Sequence, residues 1–467
     1  MERLFQLKAK GTNVRTEIIA GLTTFMTMAY ILFVNTIFLG PNGAGMPVEA
    51  VFFATAVGAG LVTLAMGFIA NIPVALAPGM GLNAYFMSVV LSSNGDITWQ
   101  TALGAVFISG IIFIILTVTK VRQMLVVAVP NSIKVGITVG IGLFIALIGF
   151  KLSNIVYISV NPGVDASVPV AGANFNLMLG SFNPSTHPDT FLALIGLLII
   201  GVLMALKVRG ALLIGILATT IIGGLPFLGL NVVDFSSLAN AQWFPSFDNL
   251  AVGKLDIGAA LGVGILEIIF VFTFVELFDT FGTLVGTTQK AGIDPNTPEG
   301  QKTIGKAMLV DAAGVSAGAV LGTSTVTAYI ESASGISEGG RTGLTAVTVG
   351  VLFLLSLFIA PIVTLVPGAA TSAALVIVGA LMMQSVKNIN FTDMVYAIPA
   401  FLMIVIMPFT YNIANGISFG IVSYVVLAVI ANLAGKKAED GGAYKIHWLM
   451  WVLAVLILAR YIFMAGE

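Results

Sequence analysis

The chain has 467 residues, 58% of them apolar and 9% charged, with a formal net charge of −1. Water-soluble domains carry about 25% charged residues, so most of this chain is solvated by lipid, in keeping with a mean hydropathy of +1.05. Secreted domains, cytosolic enzymes and disordered proteins are excluded, and near-neutral charge gives no electrostatic case for a nucleic-acid partner.

The stretch MERLFQLKAKGTNVRTE places Arg3, Lys8, Lys10 and Arg15 before a long apolar run and lacks the short apolar region and cleavage site of a signal peptide. Runs of about 20 apolar residues, enough to cross the hydrocarbon core, then follow at 17–39, 48–70, 73–92, 99–119, 130–150, 189–206 and 209–227. A polar connection at 228–257 intervenes. The series resumes at 258–284, 303–320, 322–338, 342–361, 367–386, 393–410 and 413–434. Fourteen spans are predicted, preceded by a tail at 1–16 and followed by one at 435–467. An apolar segment at 446–464 either crosses the membrane or lies on it.

Loop charge orients the series. With the N-terminus in the cytoplasm of a cell or inner membrane, Lys120, Arg122, Lys207, Arg209, Lys290, Lys302, Arg341, Lys387, Lys436 and Lys437 all fall inside. The long outer connections near 151–188 and 228–257 hold only Lys151 and Lys254.

Spans 1–7 (17–227) and 8–14 (258–434) read as two copies of one plan. Ala84-Tyr85 matches Ala328-Tyr329 at an offset of 244, and Val129-Pro130 and Gly142 match Val366-Pro367 and Gly379 at 237. Seven is odd, so the second copy enters from the opposite face, the inverted repeat of secondary transporters. Spans 3 and 10 carry the helix breakers. Span 3 reads NIPVALAPGMGLNAYF, and span 10 holds the strand-prone run Thr323-Ser-Thr-Val-Thr327. Interrupted spans at corresponding places in two repeats point to a binding site at the bilayer midplane, aimed at by backbone N–H groups near Asn83 and Thr327.

Acids at bilayer depth are functional by default. Span 8 carries Glu276 and Asp279 on one helix face, with Glu267 about 180° away; span 9 carries Asp311 and span 10 Glu331. Glu276 and Glu331 fall on elements predicted to line the site and are the first candidates for ligand or proton. Asp279 is balanced between function and structure, and Asp311 reads as pairing with a polar neighbour. Phe86, Phe25, Tyr30 and Phe272 are candidate aromatic walls. With no cysteine, and with His187 and His447 far apart, no metal site or cofactor is expected. Motifs of intramembrane hydrolases are missing, which leaves a passive channel as the other class to weigh.

Four segments, GLTTFMTMAYILFVNT, ALAPGMGLNAYF, FVELFDTFGTLVG and GTSTVTAYIESASGISEGGRTGLTAV, resemble the nucleobase permeases of the AzgA-like branch of the nucleobase–cation symporter 2 family. The resemblance spans nearly the whole chain. It implies an all-α polytopic fold of fourteen spans in two inverted repeats, with short strands in spans 3 and 10. A core (spans 1–4 and 8–11) would move against a gate (spans 5–7 and 12–14), usually in homodimers joined through the gate. It further implies proton-coupled import of hypoxanthine, guanine or adenine, with uracil, xanthine or another small polar solute as the alternative. By the same resemblance, Glu276 and Asp279 take the places of the two span 8 acids, Glu331 that of the span 10 acid and Asn83 that of the span 3 amide. Together with the reading of the residues, this makes Glu276, Glu331, Asn83, Phe86, Thr327 and Ala328 the candidate substrate contacts, with Asp279 and Asp311 in the proton-coupling or structural set. Relatives often have Asp where this chain has Glu276.

Overall fold

A computed structural model describes residues 2–93, 95–119, 129–159, 176–225, 230–240, 243, 249–262, 266–294, 297–438 and 441–463. Among these, nine helices are long and apolar enough to cross a membrane, and they correspond to spans 1, 2, 4, 5, 6, 9, 11, 12 and 14. The other five spans are visibly different. Span 7 (Ala211–Gly223) and span 13 (Met394–Phe409) are short, and span 8 (Leu266–Lys290) carries acids. Spans 3 and 10 are broken: strand β1 (Leu76–Pro78) leads into a helix at Met80–Ser92, and a later strand leads into a six-residue helix at Ser332–Ser337. Two further strands, β2 (Val156–Ser159) and β3 (Asn176–Leu179), pair in the connection between spans 5 and 6. The strand of span 10 is β4 (Val326–Ala328).

Two boundaries differ from expectation. Among the described residues the span 8 helix covers Leu266–Lys290, and its expected start at 258 falls instead in a separate short helix, Ile257–Ala260, capped by Asp256. Span 9 starts earlier, at Pro298, where Thr297 caps it and Pro occupies a first-turn position that needs no N–H. The 446–464 segment is a helix, Trp448–Phe463, lying against span 14.

The broken spans meet. β1 and β4 pair antiparallel, with Ala77 opposite Thr327 at the centre. Gly79 N–H to Thr325 O (2.9 Å) and Tyr329 N–H to Ala75 O (3.0 Å) extend the ribbon at both ends. This pairing maps residue 77 onto 327, an offset of 250. The Ala84-Tyr85 and Ala328-Tyr329 match at 244 is therefore out of structural register: the first pair is helical, and the second ends a strand. The Gly142–Gly379 match stands on firmer ground. A Cβ on Gly379 would lie 2.4 Å from Gly142 O, and one on Gly142 would lie 2.9 Å from Gly379 O. Equivalent residues in mutual contact lie on the pseudo-two-fold axis, and glycine lets spans 5 and 12 touch backbone to backbone. The chain is thus two inverted seven-span repeats.

The helices pack in two groups. Spans 1, 2, 4, 9 and 11 interlock around the ribbon, whereas spans 5, 6, 7, 12, 13 and 14 pack on one another. Spans 3 and 8 touch span 5, and span 1 touches spans 7 and 12, along the seam between the groups. At one end of the first group, Glu17 is fully buried and accepts four hydrogen bonds. The donors are the N–H groups of Arg341 (2.8 Å), Thr342 (3.2 Å) and Thr345 (3.2 Å), and the Thr345 hydroxyl (2.6 Å). A carboxylate from span 1 so satisfies the orphan donors that open span 11. Asn71, left-handed at the end of span 2, accepts from Gly343 N–H and donates to Phe5 O, which ties down the N-terminal tail. Lys10 donates to Asn71 O (3.1 Å); burial lowers its pKa, opposed by the nearby charges of Glu17 and Glu299.

Glu17→Ala would orphan three backbone N–H donors at once, while the Thr345 hydroxyl keeps the carbonyl of residue 17 as an acceptor (3.3 Å). At about 1–3 kcal/mol for each buried unmet group, it lowers stability by at least about 3 kcal/mol, read as a fall in thermal unfolding temperature in detergent. Glu17→Gln, which keeps one carbonyl acceptor, falls between the two.

Candidate functional site

Breaking two spans leaves backbone polar groups at bilayer depth, and side chains from neighbouring spans meet those that the ribbon does not. On the β1 edge, Thr63 of span 2 donates to Leu76 O (2.9 Å) and accepts from Leu76 N–H (2.8 Å). On the β4 edge, Asp311 of span 9 accepts from Ala328 N–H (3.1 Å) and from the Thr327 hydroxyl (3.2 Å). Spans 2 and 9 are the matching spans of the two repeats. Ser332 accepts from Ala75 N–H (3.0 Å).

Beside the ribbon lies a cavity of about 490 Å³. One wall comes from the broken spans: Gly79, Gly81, Thr327, Ala328 and Glu331. The facing wall comes from spans 5 and 12 through Thr138, Val378, Leu381, Met382, Gln384 and Ser385, and Thr283 of span 8 completes it. Glu331 sits at the residue before the Ser332–Ser337 helix, and the Tyr30 phenol donates to its Oε1 at 2.8 Å. Tyr30 can do so because span 1 is interrupted between Met28 and Ile31.

The expected residues divide into two layers. Glu331, Thr327 and Ala328 line the cavity. Glu276 is buried behind it and reaches it through hydroxyls: Thr280 lies 2.8 Å from Glu276 Oε1 and 2.6 Å from the Thr327 hydroxyl, and the two hydroxyl protons serve two of the three contacts between Glu276 and Asp311 at a time. Thr327 thereby stands between the acids of spans 8 and 9. Asn83 is buried off the cavity wall, with its Oδ1 accepting from the Ser324 hydroxyl and its Nδ2 unmet among the described residues. Phe86 is likewise buried, edge-on to Phe272, which also packs on Tyr85. Phe25 turns to Phe353. The side chains of Asp279 and Glu267 lie outside the described residues.

A sequence reading misses Tyr30's phenol as the partner of Glu331, since 301 residues separate them. It also misses the facing wall of spans 5 and 12; of that wall, only the adjacent Gly142–Gly379 pair leaves a trace in the repeat.

A family model described as the Permease family matches residues 15–419. The chain belongs to the Permease family. It is 43% identical to the guanine/hypoxanthine permease PbuO of Bacillus subtilis, over 98% of this chain and 99% of that one. It is also 43% identical to the adenine permease AdeQ of Escherichia coli, over 92% and 90%. Among solved structures, the transmembrane domain of the cyanobacterial bicarbonate transporter BicA is similar in fold, with a TM-score of 0.62 at 14% identity, covering 86% of this chain and 97% of that one. The chain is therefore a multi-pass membrane permease and not an enzyme, and its resemblance to the nucleobase branch is borne out by its relatives.

Two outcomes follow from this geometry. Asp311→Asn retains an acceptor for Ala328 N–H and keeps substrate uptake within about threefold, whereas Asp311→Ala leaves that donor unmet at about 1–3 kcal/mol and loses it. A Cβ at position 81 would lie 2.8 Å from Ile141 Cγ2, on a side chain stiff at χ1. Gly81→Ala accordingly reduces uptake by wedging spans 3 and 5 apart, and adding Ile141→Ala restores it.

Proposed function

We propose that this permease is a proton-coupled importer of purine nucleobases, taking hypoxanthine, guanine or adenine. The observation that carries this reading is the pairing of Glu331 and Tyr30 just past the end of β4, on a cavity that combines apolar side chains with hydroxyls and an amide. A carboxylate accepts from ring N–H groups. Backbone groups next to a strand end meet the ring's remaining edge, and Val378, Leu381 and Met382 cover its flat face. Relatives named for guanine/hypoxanthine and adenine support the same class of substrate.

Proton coupling follows from the acid. Carrying an ionised carboxylate through the low-dielectric midplane is expensive, and a proton together with a bound base removes that charge. Spans 1–4 and 8–11 then form a core that slides as a unit against a gate of spans 5–7 and 12–14. The two packing groups support that division, as does a seam crossed by small contacts. One of these is an ion pair between Arg209, after span 6, and Glu338, at the end of span 10, at 2.5 Å. Exposed pairs of this kind contribute about 0–1 kcal/mol, weak enough to break in each cycle. The N-terminus lies in the cytoplasm of the cell membrane, and the gate joins two copies in a homodimer.

The test is uptake of labelled hypoxanthine into proteoliposomes with the outside acidic, with guanine, adenine and uracil as competitors. Wild type accumulates hypoxanthine, and a protonophore abolishes the accumulation. Glu331→Gln lowers uptake about tenfold or more, as expected for loss of a charge-assisted hydrogen bond of about 1.5–3 kcal/mol. Competition by uracil and not by purines would overturn the substrate assignment. Accumulation unaffected by the protonophore would overturn the coupling.

A further inference from the structure

The cavity's wall opposite Glu331 holds three polar side chains: Thr138, Gln384 and Ser385. Thr138 already donates to Lys134 O within its own helix (3.4 Å). Gln384 and Ser385 make no side-chain hydrogen bond among the described residues. Span 12 is α-helical through Met383 and continues as a 3₁₀ helix over Gln384–Asn388. Residues three and four apart share a helix face, so Leu381, Gln384 and Ser385 present to the cavity together. An exposed amide, with Leu381 and Met382 beside it, lines the same cavity as an acid paired with a phenol.

These two walls have different chemistry. Ionised Glu331 can only accept, so it selects N–H groups that every purine base offers. An amide carries an acceptor oxygen and a donor NH₂ side by side. Purines divide at the six-membered ring: adenine shows a 6-amino donor, whereas guanine shows a 6-oxo acceptor. Rotating the terminal torsion lets one glutamine meet either pattern. We propose that Gln384 is a specificity-determining residue that reads the six-membered-ring edge of the base from the span 12 side and makes the site permissive to both 6-amino and 6-oxo purines. This rests on the purine reading above.

The test compares adenine and hypoxanthine as competitors of labelled substrate in wild type, Gln384→Glu and Gln384→Leu. Ligand-induced thermal shift with the same two bases in detergent reads binding without turnover. A carboxylate at 384 only accepts, so Gln384→Glu shifts the ratio of inhibition constants toward adenine by about tenfold. Gln384→Leu weakens both bases by similar factors and leaves their ratio near that of wild type. Wild-type uptake of purines with the same ratio in Gln384→Glu would overturn the inference and leave the purine reading standing. Wild type that neither transports nor is stabilised by any nucleobase would overturn both. A Gln384→Glu protein that does not transport but whose thermal shift favours adenine over hypoxanthine still supports the inference, since the readout is recognition.

Discussion

Every feature of the site depends on keeping a broken backbone satisfied where there is no water. An α-helix meets its own hydrogen bonds, which is why spans are helical. β1 and β4 forgo that, and each is only three residues long. Their pairing satisfies the facing edges, and Thr63 and Asp311 cover parts of the outer ones. Without both provisions the two half-helices would have no fixed origin, and Glu331, three residues beyond β4, would have no fixed position. Asp311 is thus a buried acid whose visible contacts hold a strand in place.

The symmetry of the frame is closer than the symmetry of its chemistry. Gly142 and Gly379 meet on the axis, and the strands cross it in antiparallel register. The edge cover differs: a hydroxyl serves one repeat and a carboxylate the other. The half-helix of span 10 is preceded by Glu331, that of span 3 by Gly79. Gly79 on one side admits the close approach of Thr327, and Glu331 on the other places a carboxylate on the cavity wall. Duplication supplies the scaffold, and departures from duplication supply the polarity that a directional substrate site needs.

The number of spans, the two broken ones and the acid on span 10 were legible in the sequence, since each follows from local composition at a known depth. Layering was not. Glu276 and Glu331 look alike by depth and spacing, yet one reaches the cavity only through Thr280 and Thr327 while the other lines it. That difference depends on how span 8 is rotated about its axis, which is set by packing against other spans. Tyr30 read as an aromatic wall because its ring is evident in the sequence, whereas its hydroxyl's partner lies 301 residues away. The Ala-Tyr match misled for a related reason: a two-residue identity cannot tell a helix from a strand end, and the ribbon's register can. Gln384 was invisible because its place at the cavity depends on how span 12 packs against span 5.

A cavity with one wall on each side of a seam has a consequence for transport. If a single packed group held all the ligand contacts, its movement would carry the substrate without sensing the other group. Here Glu331 and β4 lie on one group and Leu381, Met382 and Gln384 on the other. In the proposed cycle, sliding of one group against the other changes the second set of contacts while preserving the first. A substrate bound to both walls favours the arrangement in which they face each other, and one bound to the first alone is indifferent to position. In that proposal the acid-bearing wall sets whether a base is held, and the span 12 wall sets in which arrangement it is held most tightly. Gly81 of the first wall sits against Ile141 of span 5, so the two groups meet beside the cavity.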